Sequence, residues 1–238
     1  MLYNKQEKLK NKALFTPNDF LALQNIKLSL PPTVIMMPYS ESGYIKEISK
    51  KHYKLFADID IVSDKLAIAS NFGIGGPMSV FLAEMLSVCG VKNFILLGIA
   101  GGISPTLNID DTVLCTGALC DDGTSKDYFG GEVAPAAQDI CKSLAPLGAK
   151  ESGITWTTDS IFRETKEEVA HYCLHGVKTV EMEAAPVFAF ANYKQLNAAA
   201  VFVISDLLSA QDWKPHKVAQ KTNRILTQKL QEIIKLLA

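Results

Sequence analysis

Apolar residues in this chain fall into short β-branched runs that alternate with stretches of helical spacing. Thr33–Met37 reads as a first strand, closed by Pro38, and residues 42–52 as a helix. Residues 59–61 and Leu66–Ser70 read as two strands around a turn at Ser63 and Asp64. A glycine-rich turn at 73–77 leads into an amphipathic helix over 78–89, which Gly90 ends. Strands follow at 93–97, running into Gly98-Ile99-Ala100-Gly101-Gly102, and at 111–118. Residues 132–145 read as helical after their start, 153–157 as strand, Lys166–Leu174 as helix and 177–180 as a short strand. Residues 183–193 carry a strong apolar helical face, with Pro186 in the first turn, where a missing N–H loses no partner. Residues 197–204 form a buried strand and 218–237 a closing amphipathic helix.

Alternation of this kind implies an α/β fold with a mainly parallel mixed sheet flanked by helices on both faces. No repeat, low-complexity tract or Pro/Gly-rich linker interrupts it. The expectation is one domain over 1–238, with residues 1–32 as an N-terminal extension packing on it. Ligands of such sheets bind at the carboxyl ends of strands. Three predicted strand ends carry unusual residues: Gly98 to Gly102, Val180-Glu181-Met182-Glu183-Ala184-Ala185, and Ile204-Ser205-Asp206. Each alone is compatible with a turn or a helix cap. Their coincidence argues for a site.

Composition narrows the classes of partner. Lys plus Arg is 24 against 25 for Asp plus Glu, so the net charge of -1 gives no reason to expect nucleic acid or an anionic membrane. The basic stretch 5–12 reads as a solvated helix face. The five cysteines, Cys89, Cys115, Cys120, Cys141 and Cys173, contain no C-x-x-C pair and read as reduced. Residues 1–12 lack the apolar segment of a secretory leader, and no apolar run reaches membrane-span length. The expected location is the cytoplasm. The four histidines, His52, His171, His175 and His216, have no metal-ligand spacing, and no metal site is expected.

Each constellation has a plain structural alternative. Phe72-Gly73-Ile74-Gly75-Gly76-Pro77 matches neither common phosphate-loop pattern and reads first as a tight turn that lets a helix pack closely. Glu181 and Glu183 flank Met182 ahead of a helix. Carboxylates there can cap the helix dipole, or accept hydrogen bonds from two adjacent sugar hydroxyls while the thioether packs on the sugar face. Asp206, after the apolar run 200–204, can cap the next segment or donate a proton to a leaving group.

Together these motifs resemble the nucleoside phosphorylase superfamily of purine nucleoside phosphorylases, uridine phosphorylases and nucleoside hydrolases. Phe72 to Pro77, the helix after it, Gly98 to Ile103, Val180 to Ala185 and Ser205-Asp206 stand in that family's order and spacing. The resemblance covers residue 33 to the C-terminus and implies a nucleoside phosphorylase-like single domain and a homo-oligomer (dimer, trimer or hexamer). It also implies cleavage of the bond between a base and ribose. By family pattern Glu183 binds the ribose hydroxyls, Met182 packs on the sugar and Glu181 supports that wall. Ala100, Gly101 and Ser205 line the pocket, Phe162 (or Ile161) stacks on the base, and Asp206 protonates or hydrogen-bonds a purine-type base at N7.

The chain departs from phosphorylases at the phosphate. Where they carry a G-D-P-x-x-R loop, this sequence reads Pro38-Tyr39-Ser40-Glu41-Ser42-Gly43. Where they carry an arginine and a Ser or Thr around the second glycine motif, it has Leu96 and Ile99. A phosphate dianion needs charge-assisted donors, which apolar side chains do not supply. Hydrolytic relatives such as futalosine hydrolase resemble the G-I-A-G element and place glutamates after the first strand to position water, which makes Glu41 a candidate catalytic residue. Three readings stand: a phosphorylase using inorganic phosphate as co-substrate, a hydrolase using water, and a catalytically silent nucleoside-binding protein. No other cofactor is expected. Retention of Glu183 with Asp206 favours an enzyme.

Overall fold

The computed structural model describes residues 4–40, 43–215 and 219–237. Its strands are β1 (Thr33–Met37), β2 (Lys51–Lys54), β3 (Asp58–Ile61), β4 (Leu66–Ser70), β5 (Asn93–Gly102), β6 (Thr112–Asp121), β7 (Val133–Pro135), β8 (Glu151–Thr158), β9 (Thr179–Glu181), β10 (Asn197–Leu208) and β11 (Trp213–Pro215). Its helices are α1 (Lys5–Lys8), α2 (Pro17–Leu23), α3 (Gly43–Ile48), α4 (Gly76–Val88), α5 (Gln138–Leu144), α6 (Lys166–Leu174), α7 (Ala184–Lys194) and α8 (Ala219–Leu237). The α/β class expected from the apolar pattern is the one observed.

The sheet is mixed. β4, β1, β5 and β10 lie side by side and parallel. β10 then pairs antiparallel with β6, β6 parallel with β8, β8 parallel with β9, and β9 antiparallel with the end of β5. These five strands therefore return on themselves and close a ring. The antiparallel β2–β3–β4 meander forms one edge, and the short β7 and β11 add to β6 and β10.

α7 is buried along its length from Ala184 to Ala191, packed between the sheet and α4, as a helix apolar all round must be. α8 turns Leu226, Leu230, Ile233 and Ile234 inward at i, i+4, i+7 and i+8. α2 begins on a capping box, Thr16 with Asp19, and sets Phe20 edge-on against Phe56 and Phe81. Lys5 and Lys8 of α1 both pair with Asp127, so part of the basic stretch is neutralised.

Three predicted elements differ. The helix expected over 42–52 ends at Ile48. Lys51–Lys54 pair with β3, and the Lys50 N–H bonds the Ile61 carbonyl, so hairpin pairing overrides local helical spacing. The segment 132–145 opens as β7, because Val133 and Ala134 pair with Leu119 and Ala118, and the helix starts only at Gln138. β5 runs five residues past its expected end, because Gly98 to Gly102 pair with β10. The five cysteines are free, with Cys115 fully buried. Among the described residues no helix is long and apolar enough to cross a membrane, and no group of three or more His, Cys, Asp or Glu is placed to hold a metal ion.

Candidate active site

The three strand ends singled out by sequence meet. A cavity of about 680 Å³ opens between the ends of β5, β9 and β10, with Ile74 of the glycine turn, the Ile161–Arg163 3-10 turn and β11 around its mouth. That volume suits a small organic ligand.

Val180, Glu181, Met182 and Glu183 line the cavity from the segment that leads into α7. Glu181 is buried, and both its oxygens are used by the protein. Oε2 accepts the N–H groups of Glu183 and Ala184, each at 2.7 Å, while Oε1 accepts the Thr157 hydroxyl. Thr157 Oγ1 in turn accepts the Ala185 N–H at 2.9 Å. Glu181 thus caps α7, satisfying N–H groups a helix start leaves unpaired. Burial raises its pKa, Glu183 adds to the rise, and the Thr157 and backbone bonds oppose it.

Glu183 lies at the α7 start, and its Oε1 accepts the Gly75 N–H at 2.6 Å. Gly75 has φ +96°, a backbone conformation that favours glycine, and this turns its N–H toward the carboxylate. The glycine turn therefore serves Glu183 as well as packing α4 on α7. Burial raises the Glu183 carboxyl above the usual range, opposed by this bond. Met182 between the two is partly exposed to the cavity.

β10 shifts register against β5 between Ile204 and Asp206, a bulge at Ser205. Bulges re-aim side chains, and here Asp206 is brought into the cavity wall. Ser205 Oγ lies 2.5 Å from Asp206 Oδ1 and 3.3 Å from the Ala100 carbonyl, so its single proton goes to the nearer carboxylate. Asp206 Oδ2 accepts the Trp213 indole N–H at 2.7 Å. A Cβ at Gly101 would overlap the Leu208 side chain and come within 3.1 Å of Val180, so glycine there permits the β5–β10 approach that seats Asp206.

Phe162 leaves 96% of its surface exposed at the mouth, and Ile161 beside it 55%. Every predicted site residue but one thus borders a single cavity: Glu181, Met182, Glu183, Phe162, Ser205, Ala100, Gly101 and Asp206. Glu41 lies outside the described residues. Sequence reasoning did not single out Glu164 or Trp213, which also line the cavity, or Thr157 behind it. Burial, then Asp206 and then Glu168 push Glu164 up to about 7.

Among the described residues the cavity lining contains Glu164, Glu181, Glu183 and Asp206 and no lysine, arginine or histidine. The positions expected to differ at the phosphate do not gather. Leu96 is buried in the core, Ile99 is half exposed at the mouth, and Gly43 borders a separate cleft with Lys46, Lys50, Lys51 and His52.

A family model described as the phosphorylase superfamily matches residues 41–237. The chain belongs to this superfamily. A guanosine phosphorylase of Halorubrum lacusprofundi is 34% identical over 149 residues, covering 60% of this chain and 61% of that protein. A DeoD-type purine nucleoside phosphorylase of Exiguobacterium sibiricum is 33% identical over 144 residues, covering 57% and 61%. The chain thus spans about three-fifths of these curated relatives' length, 61% in each case. A uridine phosphorylase structure from Vibrio fischeri superposes with a TM-score of 0.72 at 20% identity over 87% of this chain and 90% of that one. That likeness shows the superfamily's α/β fold.

Proposed function

We propose that this chain cleaves the N-glycosidic bond of a nucleoside with a purine-type base and uses water as the acceptor. The observation that carries the reading is one cavity lined by both Glu183 and Asp206, with no cation among its described lining residues. Positive charge develops on the ribose as the bond breaks, so sugar hydroxyls bound to Glu183 interact more strongly in the transition state. Negative charge develops on the base, and an acidic proton supplied beside Asp206 stabilises the base as it leaves. Interactions that strengthen toward the transition state are the ones that accelerate the step. Met182 packs on the sugar, Glu181 holds the wall through the α7 cap, and Phe162 stacks on the base.

Curated relatives named guanosine phosphorylase and purine nucleoside phosphorylase support a purine nucleoside as substrate. The phosphate these names imply finds no charged donor among the described residues of the cavity lining. The chain is further read as a homo-oligomer in which a second copy covers Ile99, Phe162 and Trp213, large apolar side chains exposed at the mouth. Light scattering reads that directly, and a monomer at working concentration rejects it.

The deciding assay follows base release from inosine, guanosine, adenosine and uridine. Release from a purine nucleoside supports the proposal. Binding of nucleosides without release of any base supports instead a silent binding protein.

A further inference from the structure

Asp206 is not alone at the base side of the cavity. Glu164 follows the Ile161–Arg163 turn, is partly buried and lines the same cavity as Phe162, Asp206 and Trp213. Among the described residues no hydrogen-bond donor and no cation meets its carboxyl. The other acidic side chains of the cavity are supplied: Glu181 by two N–H groups and Thr157, Glu183 by Gly75, and Asp206 by Ser205 and Trp213. Capping of α6 does not explain Glu164, because Thr165 and Glu168 complete that capping box without it. A partly buried carboxyl with no donor is poorly stabilised as an anion. The groups acting on it are Asp206 from β10 and Glu168 from α6, both acidic, and with burial they push it up to about 7. Glu181 and Glu183 lie in the same cavity, while Lys214 of β11 lines the neighbouring groove.

We propose that Glu164 is a second acid of the base pocket, touching the base and holding the proton that the leaving base takes up, while Asp206 holds the base as a hydrogen-bond acceptor. This rests on the nucleoside-cleaving reading above. In the step, the bond between the anomeric carbon and the base nitrogen breaks and its electron pair stays with the base. The Glu164 O–H proton passes to a ring nitrogen of the base, which leaves neutral. Water adds to the anomeric carbon and loses a proton, which restores the Glu164 carboxyl, so nucleoside plus water gives base plus ribose.

Calorimetry of free hypoxanthine and adenine, run at about pH 8 in buffers of different ionisation enthalpy, tests this without turnover. Base binding covers Glu164 and favours its neutral form, so the wild-type protein takes up a fraction of a proton. Glu164→Gln binds the base within about three-fold, shows no uptake, and turns a cleaved nucleoside over at least ten-fold more slowly, with the pH limb near 7 lost. Binding by the wild type without proton uptake overturns the inference even if the variant does not fold. So does a Glu164→Gln protein that keeps the uptake or the limb. If neither base binds and no nucleoside is cleaved, the nucleoside reading falls and takes the inference with it. Cleavage without proton linkage removes the inference alone.

Discussion

The Trp213 indole N–H donates to Asp206 Oδ2 at 2.7 Å, across the antiparallel pairing that sets Asp206 opposite Pro215. The bond joins a residue at a strand end to one from a three-residue edge strand, and with Ser205 it fixes both carboxylate oxygens. An indole offers one donor and a broad apolar face, so Trp213 can orient Asp206 and wall the mouth at once.

Replacing Trp213 by Phe keeps a ring and removes the donor. A hydrogen bond to a charged group contributes about 1.5–3 kcal/mol, so kcat/KM should fall on the order of 10- to 100-fold, mostly in kcat. Trp156 is buried while Trp213 is 62% exposed, so wild-type fluorescence should also change on base binding and the Trp213→Phe signal should not. An unchanged kcat/KM removes the positioning role.

Asp206→Asn keeps the size of the side chain, removes its charge and leaves one acceptor oxygen where the donors of Ser205 and Trp213 now meet two. The fold should persist, by circular dichroism, while turnover of a purine nucleoside drops on the order of 10- to 100-fold, the range for loss of a hydrogen bond to a charged group. A folded variant with wild-type turnover rejects any part for Asp206 at the base.

Glu183→Ala should weaken ribose-bearing ligands more than the free base, because the proposed reading sets its carboxylate on the sugar hydroxyls and the base at Asp206. Calorimetry with inosine and hypoxanthine compares the two. Equal losses for both mean that Glu183 supports the pocket through Gly75 and does not meet the sugar.

Much of the site was legible because its residues sit at strand ends and carry charge in apolar surroundings. The sequence alone showed Glu181, Glu183 and Asp206 emerging from buried runs, but it left capping and sugar binding open, and the structure gives the capping to Glu181. Glu181 spends its carboxylate on α7, whereas Glu183 stays at the cavity. Glu164 was hidden in the polar run 163–168, where nothing local separates it from Glu167 or Glu168. Only tertiary placement beside Asp206 distinguishes it. Trp213 and the short strands β2, β7 and β11 were missed for a related reason: their pairing partners lie elsewhere in the chain and their local pattern is too brief to read.

Glu164 also gives a stability prediction that needs no substrate. Its carboxyl titrates at about 7 in the fold against an ordinary value of 4.5. A raised folded pKa means the folded state binds the proton more tightly, so this contribution is fully present below about 4.5 and is lost as pH rises through about 7. Glu164→Gln should therefore gain stability over wild type as pH increases across that window. The gain is on the order of 1 kcal/mol once solvent screening of a partly exposed group is allowed for. Urea titrations at both ends of the window measure it, and a difference that does not change with pH rules out the shift.

The last prediction concerns the acceptor: base release should not require inorganic phosphate. A phosphate dianion is held by charge-assisted bonds, commonly from an arginine fork, and Leu or Ile cannot replace that fork. Here Leu96 is sealed in the core, Ile99 presents an apolar surface at the mouth, and Arg163 is exposed and outside the cavity lining. The described lining offers a dianion acidic side chains and no cation to bind it. Water carries no charge and meets no such barrier. Product analysis separates the two, since free ribose reports water and ribose 1-phosphate reports phosphate. Rates in phosphate-free buffer should match those with phosphate added. Strict phosphate dependence with ribose 1-phosphate as product would falsify the water reading. It would direct attention to the cleft of Lys46, Lys50 and Lys51, where Lys46→Ala and Lys50→Ala should then raise the KM for phosphate.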